Sequence, residues 1–290
     1  MTILVTGATG TIGSKVVTEL AARGAKIRAL SRSPEKVTFP QGVTAVTGDL
    51  LDLDSMRAAL DGADTLFLLV ANAPDELTKA MITLNLARDA GVKGIVYLSV
   101  FKSVEFGDVP HFAGKGTVEH MIEQDGLPAT ILRPAYFIQN DLAQKDALLA
   151  GGYGMPVGQR GISMVDTRDI AQAAAIELIR RDSATGPLPR EVYELVGPDA
   201  LTGPKLAEIW SETLGRSVSY GGDDLDRLEA RMKAFAPGWL AYDMRQMMRR
   251  YQQDGAVATD GDLERFATLL GHQPRSYRDF AREAARTFAA

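Results

Sequence analysis

Short apolar runs alternate with helical patterns along the first half of the chain. Residues 3–6 read as a buried strand, and 12–22 as a helix whose Ile12, Val16, Val17 and Leu20 share one face. Residues 26–30 and 43–46 predict two more strands, with a helix over 53–60. Residues 65–70 form a continuous apolar run bounded by turn signals, as expected of a strand covered on both faces. A helix over 74–90 stops at Gly91, a natural C-cap, and is followed by a strand over 94–100. A helix over 111–125 and a strand over 129–132 complete this region. Six strands alternating with helices predict an α/β fold: a doubly wound parallel Rossmann sheet with helices on both faces.

Beyond residue 150 the rhythm changes. Gly151-Gly152-Tyr153-Gly154 reads as a flexible link, residues 162–165 as a short strand and 167–179 as a helix. A strand over 191–196 and a helix over 203–214 follow, and the remainder is mostly helical. This divides the chain into a sheet-bearing domain in residues 1–150 and a smaller, more helical part in 151–290, partly interleaved with the first. The second part is expected to cover the carboxyl ends of the sheet strands.

The 290 residues are 46% hydrophobic and 24% charged, which are globular proportions. A net charge of −5 argues against nucleic-acid binding, which needs clustered Lys and Arg. With no cysteine and three histidines, disulfides, thiolate metal sites and multi-His zinc sites are not expected. No leader pattern and no apolar run approaching a membrane span is visible, so the expectation is a cytoplasmic protein.

The strongest chemical signal is Thr6-Gly7-Ala8-Thr9-Gly10-Thr11-Ile12-Gly13, set between the first strand and the first helix. Such glycines let the backbone turn sharply, approach a pyrophosphate and pack helix against strand, while the helix N-terminus faces the anion. Strand, glycines, helix and second strand follow in the required order within 30 residues. The second strand ends at Leu30-Ser31-Arg32-Ser33-Pro34, with no acid before Glu35. An NAD-selective site tends to place Asp or Glu here, so Arg32 points to the 2'-phosphate of NADP(H), with Ser31, Ser33 and Lys36 as assistants. Asp49 is placed either near the adenine amine or as a cap of the next helix, and Val70 ends the fourth strand at the ribose rim.

No tyrosine has a lysine four positions later, the pair many reductases on such sheets use. Instead His111 and Lys115 stand one helical turn apart and share a face. Lys115 suits the nicotinamide ribose hydroxyls. His111 either donates a proton or hydrogen-bonds substrate. Ser99 closes the fifth strand, as a catalytic hydroxyl or as one satisfied by nearby backbone. Arg133-Pro134 reads as a strand-end stabiliser, and Asp166 and Asp169 as caps. Between Arg227 and Arg250 stand six basic and two acidic residues, with Met232, Phe235, Trp239, Tyr242, Met244, Met247 and Met248. That stretch is either an amphipathic helix pair with solvated arginines or an adaptable wall for a flat aromatic molecule.

The glycine segment, Arg32 with Ser33-Pro34-Glu35-Lys36, the His111/Lys115 pair, Glu119 and the run from Thr130 to Asn140 resemble the NmrA-like family, which are atypical short-chain dehydrogenases/reductases. The resemblance covers about residues 1–200. It implies that Gly7, Thr9, Gly10, Thr11 and Ile12 line the pyrophosphate of NADP(H), and that Arg32 meets the 2'-phosphate. It also implies Lys115 at the nicotinamide ribose, with Tyr136 and Phe137 near the nicotinamide. The family includes quinone, azo-dye and triphenylmethane-dye reductases and NADP-binding regulators. The expected function is therefore NADPH-dependent hydride transfer to a planar conjugated acceptor, a small aromatic or quinonoid molecule, by a monomer or homodimer. Its alternative is a redox sensor that binds NADP(H) without turnover.

Overall fold

The alternating pattern folds into a seven-stranded sheet in the computed structural model, which describes residues 1–288. In chain order the first elements are β1 (Ile3–Val5), α1 (Gly13–Ala22), β2 (Ile27–Ser31), β3 (Val43–Thr47) and α2 (Leu53–Leu60). Then come β4 (Thr65–Leu68), α3 (Glu76–Asp89), β5 (Gly94–Leu98), α4 (Pro110–Gln124) and β6 (Ala129–Pro134). The chain continues through α5 (Lys145–Leu149), β7 (Gly152–Tyr153), α6 (Thr167–Asp182), β8 (Glu191–Leu195), α7 (Gly203–Leu214) and β9 (Ser219–Tyr220). Four helices close it: α8 (Leu225–Met232), α9 (Gly238–Asp254), α10 (Asp260–Leu270) and α11 (Tyr277–Phe288).

The sheet order is β3-β2-β1-β4-β5-β6-β8, with parallel register from β3 through β6. Chain order reverses between β1 and β4, the crevice at which open parallel sheets bind ligands. Every residue of β1, β4 and β5 is buried, as uninterrupted apolar strands covered on both faces require. Edge strand β3 is the exposed exception. Asp52 caps α2 by accepting from the amides of Asp54 and Ser55.

Two expectations are corrected here. The strand expected over 191–196 is β8, and instead of standing in the second part it joins the sheet as its seventh strand. Residues 162–165 form no strand: Ile162 and Val165 make only isolated bridges, to Leu201, Ala256 and Phe137. By contact the described chain forms two units, each assembled from several stretches of the sequence. The first holds Met1–Ser103, Gly114–Arg133 and Thr167–Tyr193, and the second Val104–Ala113, Pro134–Asp166 and the chain from Glu194 onward. Helix α6 belongs to the first because it packs on α1, β4 and β5.

Within the second unit a polar cluster sits in the core. Asp141 is fully buried and accepts from Tyr153 (3.0 Å), from Gln144 Nε2 (2.8 Å) and from Tyr277. Tyr277 in turn accepts from the Trp210 indole at 2.9 Å. Burial raises the Asp141 carboxyl to about 6, while these three donors oppose the shift. The folded state thus keeps a proton that the unfolded chain has lost, and this contribution to stability disappears as pH rises toward 6. Relative to wild type, Asp141→Asn should gain stability by about 3 kcal/mol between about pH 4 and pH 7, read from denaturant titrations at each pH. A pH-independent difference would place the proton elsewhere.

Candidate active site

The loop after β1 is built by close backbone approach. Gly7 has φ +60°, a left-handed conformation that glycine adopts without strain. A Cβ on Gly13 would lie 2.1 Å from the Gly7 carbonyl oxygen, so only glycine lets α1 begin against the turn. Thr6 Oγ1 accepts from the Leu69 amide at 2.9 Å and lies 2.9 Å from the Leu69 carbonyl, fixing the loop to the chain leaving β4. Gly7, Thr9, Gly10 and Thr11 are exposed and Ile12 is buried. Ile12 occupies the N-cap of α1, where no side chain caps the helix and no acid stands in the first turn. The dipole end and its amides thus face the exposed glycine turn, an arrangement suited to a diphosphate.

At the end of β2, Arg32 is exposed beside buried Ser31, whose Oγ accepts from the Ser33 amide at 3.2 Å. Asp49 is not the cap of α2. Its Oδ1 accepts from the Leu51 amide at 2.9 Å, and Asp52 takes the cap position. Val70 is buried just beyond β4.

At the carboxyl end of β5 two ion pairs form within the first unit. Glu119 accepts from Ser99 Oγ, from Ser103 Oγ at 3.0 Å and from Arg133 through Nε (3.1 Å) and Nη2 (2.5 Å). Ser99 therefore spends its single hydroxyl proton on Glu119, and Arg133 ties the end of β6 to α4. Lys115, 9% exposed, lies 2.7 Å from Glu76 Oε1 and donates to the Leu98 carbonyl at 3.3 Å. Its ammonium also stands 5.9 Å from the centre of the Tyr97 ring. Burial and the Glu76 and Glu119 carboxylates push the Tyr97 phenol well above its ordinary value.

In the second unit the His111 amide donates to Asp243 Oδ1 at 3.1 Å, and His111 Nδ1 lies 2.5 Å from Asp243 Oδ2. One carboxylate thus holds both the start of α4 and the imidazole. Tyr136 and Phe137 are half-buried, with Tyr136 edge-on to Tyr251. The α9 arginines are mostly paired. Arg249 and Arg250 reach Asp108 at 2.6 and 3.3 Å, and Arg250 lies over Phe106. Arg245 reaches Asp226 and Glu229. Met247 and Met248 are core residues, whereas Phe235, Trp239 and Tyr242 are exposed. The amphipathic helix pair is thus present, with the α9 arginines paired to acids while Arg227 and Arg231 on α8 are exposed.

Two partners escaped sequence reasoning. Asp243 left a trace: it sits among Leu240, Met244 and Met247 on the inward stripe of α9, where an unpaired acid is out of place. Glu76 left none, because an acid in the first turn of a helix is ordinary.

Comparison with known proteins places the chain by homology. Residues 1–264 match the model of the NmrA-like family, and the chain belongs to that family. It is 30% identical over 292 residues to the NAD(P)H azoreductase of Xenophilus azovorans, with 99% of each chain covered. It is 32% identical over 291 residues to a (4-alkanoyl-5-oxo-2,5-dihydrofuran-3-yl)methyl phosphate reductase of Streptomyces griseus, again covering 99% of each. Among solved structures it superposes on the NADPH-dependent quinone oxidoreductase QOR2 of Escherichia coli, complexed with NADPH. The TM-score there is 0.84 at 26% identity, covering 99% of each chain.

Glu119→Ala should destabilise the protein by about 3–5 kcal/mol, since it strands a partly buried guanidinium, whereas Ser99→Ala should cost about 1 kcal/mol. Thermal or denaturant unfolding of the two variants checks this, and equal losses would contradict the ranking.

Proposed function

We propose that the protein is an NADPH-dependent reductase that passes hydride directly to a planar conjugated acceptor such as a quinone, an azo compound or a triphenylmethane-type dye. The observation that carries this reading is the glycine turn against an uncapped α1, followed by Arg32 where an NAD-selective site would hold an acid. The chain fits the cofactor: a diphosphate needs a cradle of backbone at a helix N-terminus, and Gly7, Thr9, Gly10, Thr11 and Ile12 form one. Arg32 holds the 2'-phosphate, with Asp49 and Val70 bordering the adenosine side. Lys115 meets the nicotinamide ribose, and Tyr136 and Phe137 are assigned to the nicotinamide. The sequence similarity to an azoreductase and to a quinone oxidoreductase supports the acceptor class.

When bound, NADPH supplies hydride from C4 of its nicotinamide. Lys115 orients the ribose and places a positive charge near the developing anion of the reduced acceptor. Such acceptors are electrophilic at the outset, so a strong acid is not required. The product's proton comes from water or from the His111 imidazole, which Asp243 orients. Ser99, with its proton committed to Glu119, is assigned to the framework rather than to proton transfer. No helix among the described residues is long and apolar enough to cross a membrane, in keeping with action in the cytoplasm on small diffusible molecules.

The test is NADPH oxidation by purified protein with quinones, azo dyes and triphenylmethane dyes, alongside NADH. Turnover with at least one acceptor and faster reaction with NADPH are expected. Tight NADPH binding without turnover across the panel would overturn the enzyme reading and favour a sensor. Arg32→Asp should lower kcat/KM for NADPH by about 10- to 100-fold, as loss of a charge-assisted phosphate contact does, and spare NADH. An unchanged cofactor ratio would remove Arg32 from the 2'-phosphate.

A further inference from the structure

Glu76 is 6% exposed at the first position of α3, and carboxylates are almost never buried unless paired. Its partner, the Lys115 ammonium, lies 39 positions along the chain and is buried as deeply. The local choice would have been different. Glu119 stands four residues after Lys115 on α4, the usual helical spacing for an ion pair. Glu119 is instead taken by Arg133, Ser99 and Ser103, which leaves Lys115 to Glu76.

A buried pair of this kind is a poor source of stability, since desolvation offsets most of the attraction and apolar residues would pack as well. Its geometry is also not that of an anchor. The two charges are 2.7 Å apart, yet Glu76 Oε1 accepts no aligned hydrogen bond, and the bond from Lys115 to the Leu98 carbonyl is long at 3.3 Å. The ammonium is held by charge at the end of β5 while its three N–H directions stay adaptable. Within the first unit, the groups facing it are Glu76, the Leu98 carbonyl and the Tyr97 ring.

We propose that Glu76 is a positioning residue: its buried carboxylate holds the Lys115 ammonium, charged and in place, for the nicotinamide-ribose hydroxyls of NADPH. The proposal rests on the assignment of Lys115 to that ribose. Without Glu76, the ammonium faces burial with no counter-charge and swings toward water, so it no longer waits at the end of β5.

The test is calorimetric titration of wild type, Glu76→Gln, Lys115→Met and the double variant with NADPH and with 2',5'-ADP, which lacks the nicotinamide ribose. Glu76→Gln should weaken NADPH about tenfold, the loss expected of one misplaced charge-assisted contact, and leave 2',5'-ADP unchanged. The double variant should bind NADPH no more weakly than Lys115→Met, because Glu76 acts through Lys115. Glu76→Asp, which keeps the charge, should recover part of the loss. Unchanged or tighter NADPH binding by Glu76→Gln overturns the proposal, as does an equal loss for both ligands or a double variant with additive losses. If Lys115→Met itself binds NADPH normally, the ribose assignment fails first and the role of Glu76 falls with it. Retained 2',5'-ADP binding reports that each variant is folded.

Discussion

Glu119 accepts from three separate segments of the first unit: Ser99 at the exit of β5, Ser103 in the following loop, and Arg133 at the end of β6. Its own helix, α4, is the fourth element in the knot. A buried carboxylate in this position is costly unless all its acceptors are used, and here two hydroxyls and a bidentate guanidinium use them. The arrangement sets the register of α4 against the carboxyl end of the sheet. Every other side chain on that stretch of α4 inherits its place from it. Lys115, one turn earlier, is delivered to the mouth of β5 but denied its nearest acid, and it draws Glu76 and the start of α3 into the same corner. One saturated carboxylate thereby organises two ion pairs.

The glycine turn uses a different physical device. Between β1 and α1 the chain is held by what is missing. Gly13 passes so close to the Gly7 carbonyl that a single methyl group would not fit. Side chains close the starts of α2 (Asp52), α7 (Thr202), α8 (Asp224) and α10 (Thr259), whereas α3, α5 and α9, like α1, have no side-chain cap. At α1 the corresponding residue is Ile12, which points into the core and offers nothing to the amides. The amides of such a start are left to solvent or to a bound anion, and what sets α1 apart from the other uncapped starts is the exposed glycine turn packed against it.

Much of this was legible in the sequence because it depends on local rules. Continuous apolar runs gave β1, β4 and β5, the glycine spacing gave the turn, and the absence of an acid after β2 is what points to NADP(H). What was not legible depends on distant pairing. Ser99 looks the same in the sequence whether its proton is free or donated to Glu119. Asp49 is open in the sequence to a cap or an adenine contact, and the cap falls to Asp52, three residues on. Glu76 carries no mark of burial, since helix starts favour acids everywhere. The basic stretch had two readings because Asp108, which pairs with Arg249 and Arg250, lies far outside it in the sequence. Residues 162–165 failed as a strand because three different partners each take one residue, so no ladder extends.

The same pairings bear on how a reductase can manage without the usual tyrosine. In the first unit, Tyr97 is buried beside two carboxylates, and both burial and those charges oppose its ionisation. A phenol whose ionisation is opposed in this way is a poor proton relay. Ser99 has already donated its proton, and the Lys115 ammonium is tethered to an acid. This corner therefore offers placed positive charge but no ready acid. Chemistry that needs a proton delivered with the hydride, as reduction of a simple ketone does, is badly served by it. An acceptor whose ring system spreads the incoming negative charge needs only orientation and a nearby cation, the part proposed above for Lys115 at the end of β5.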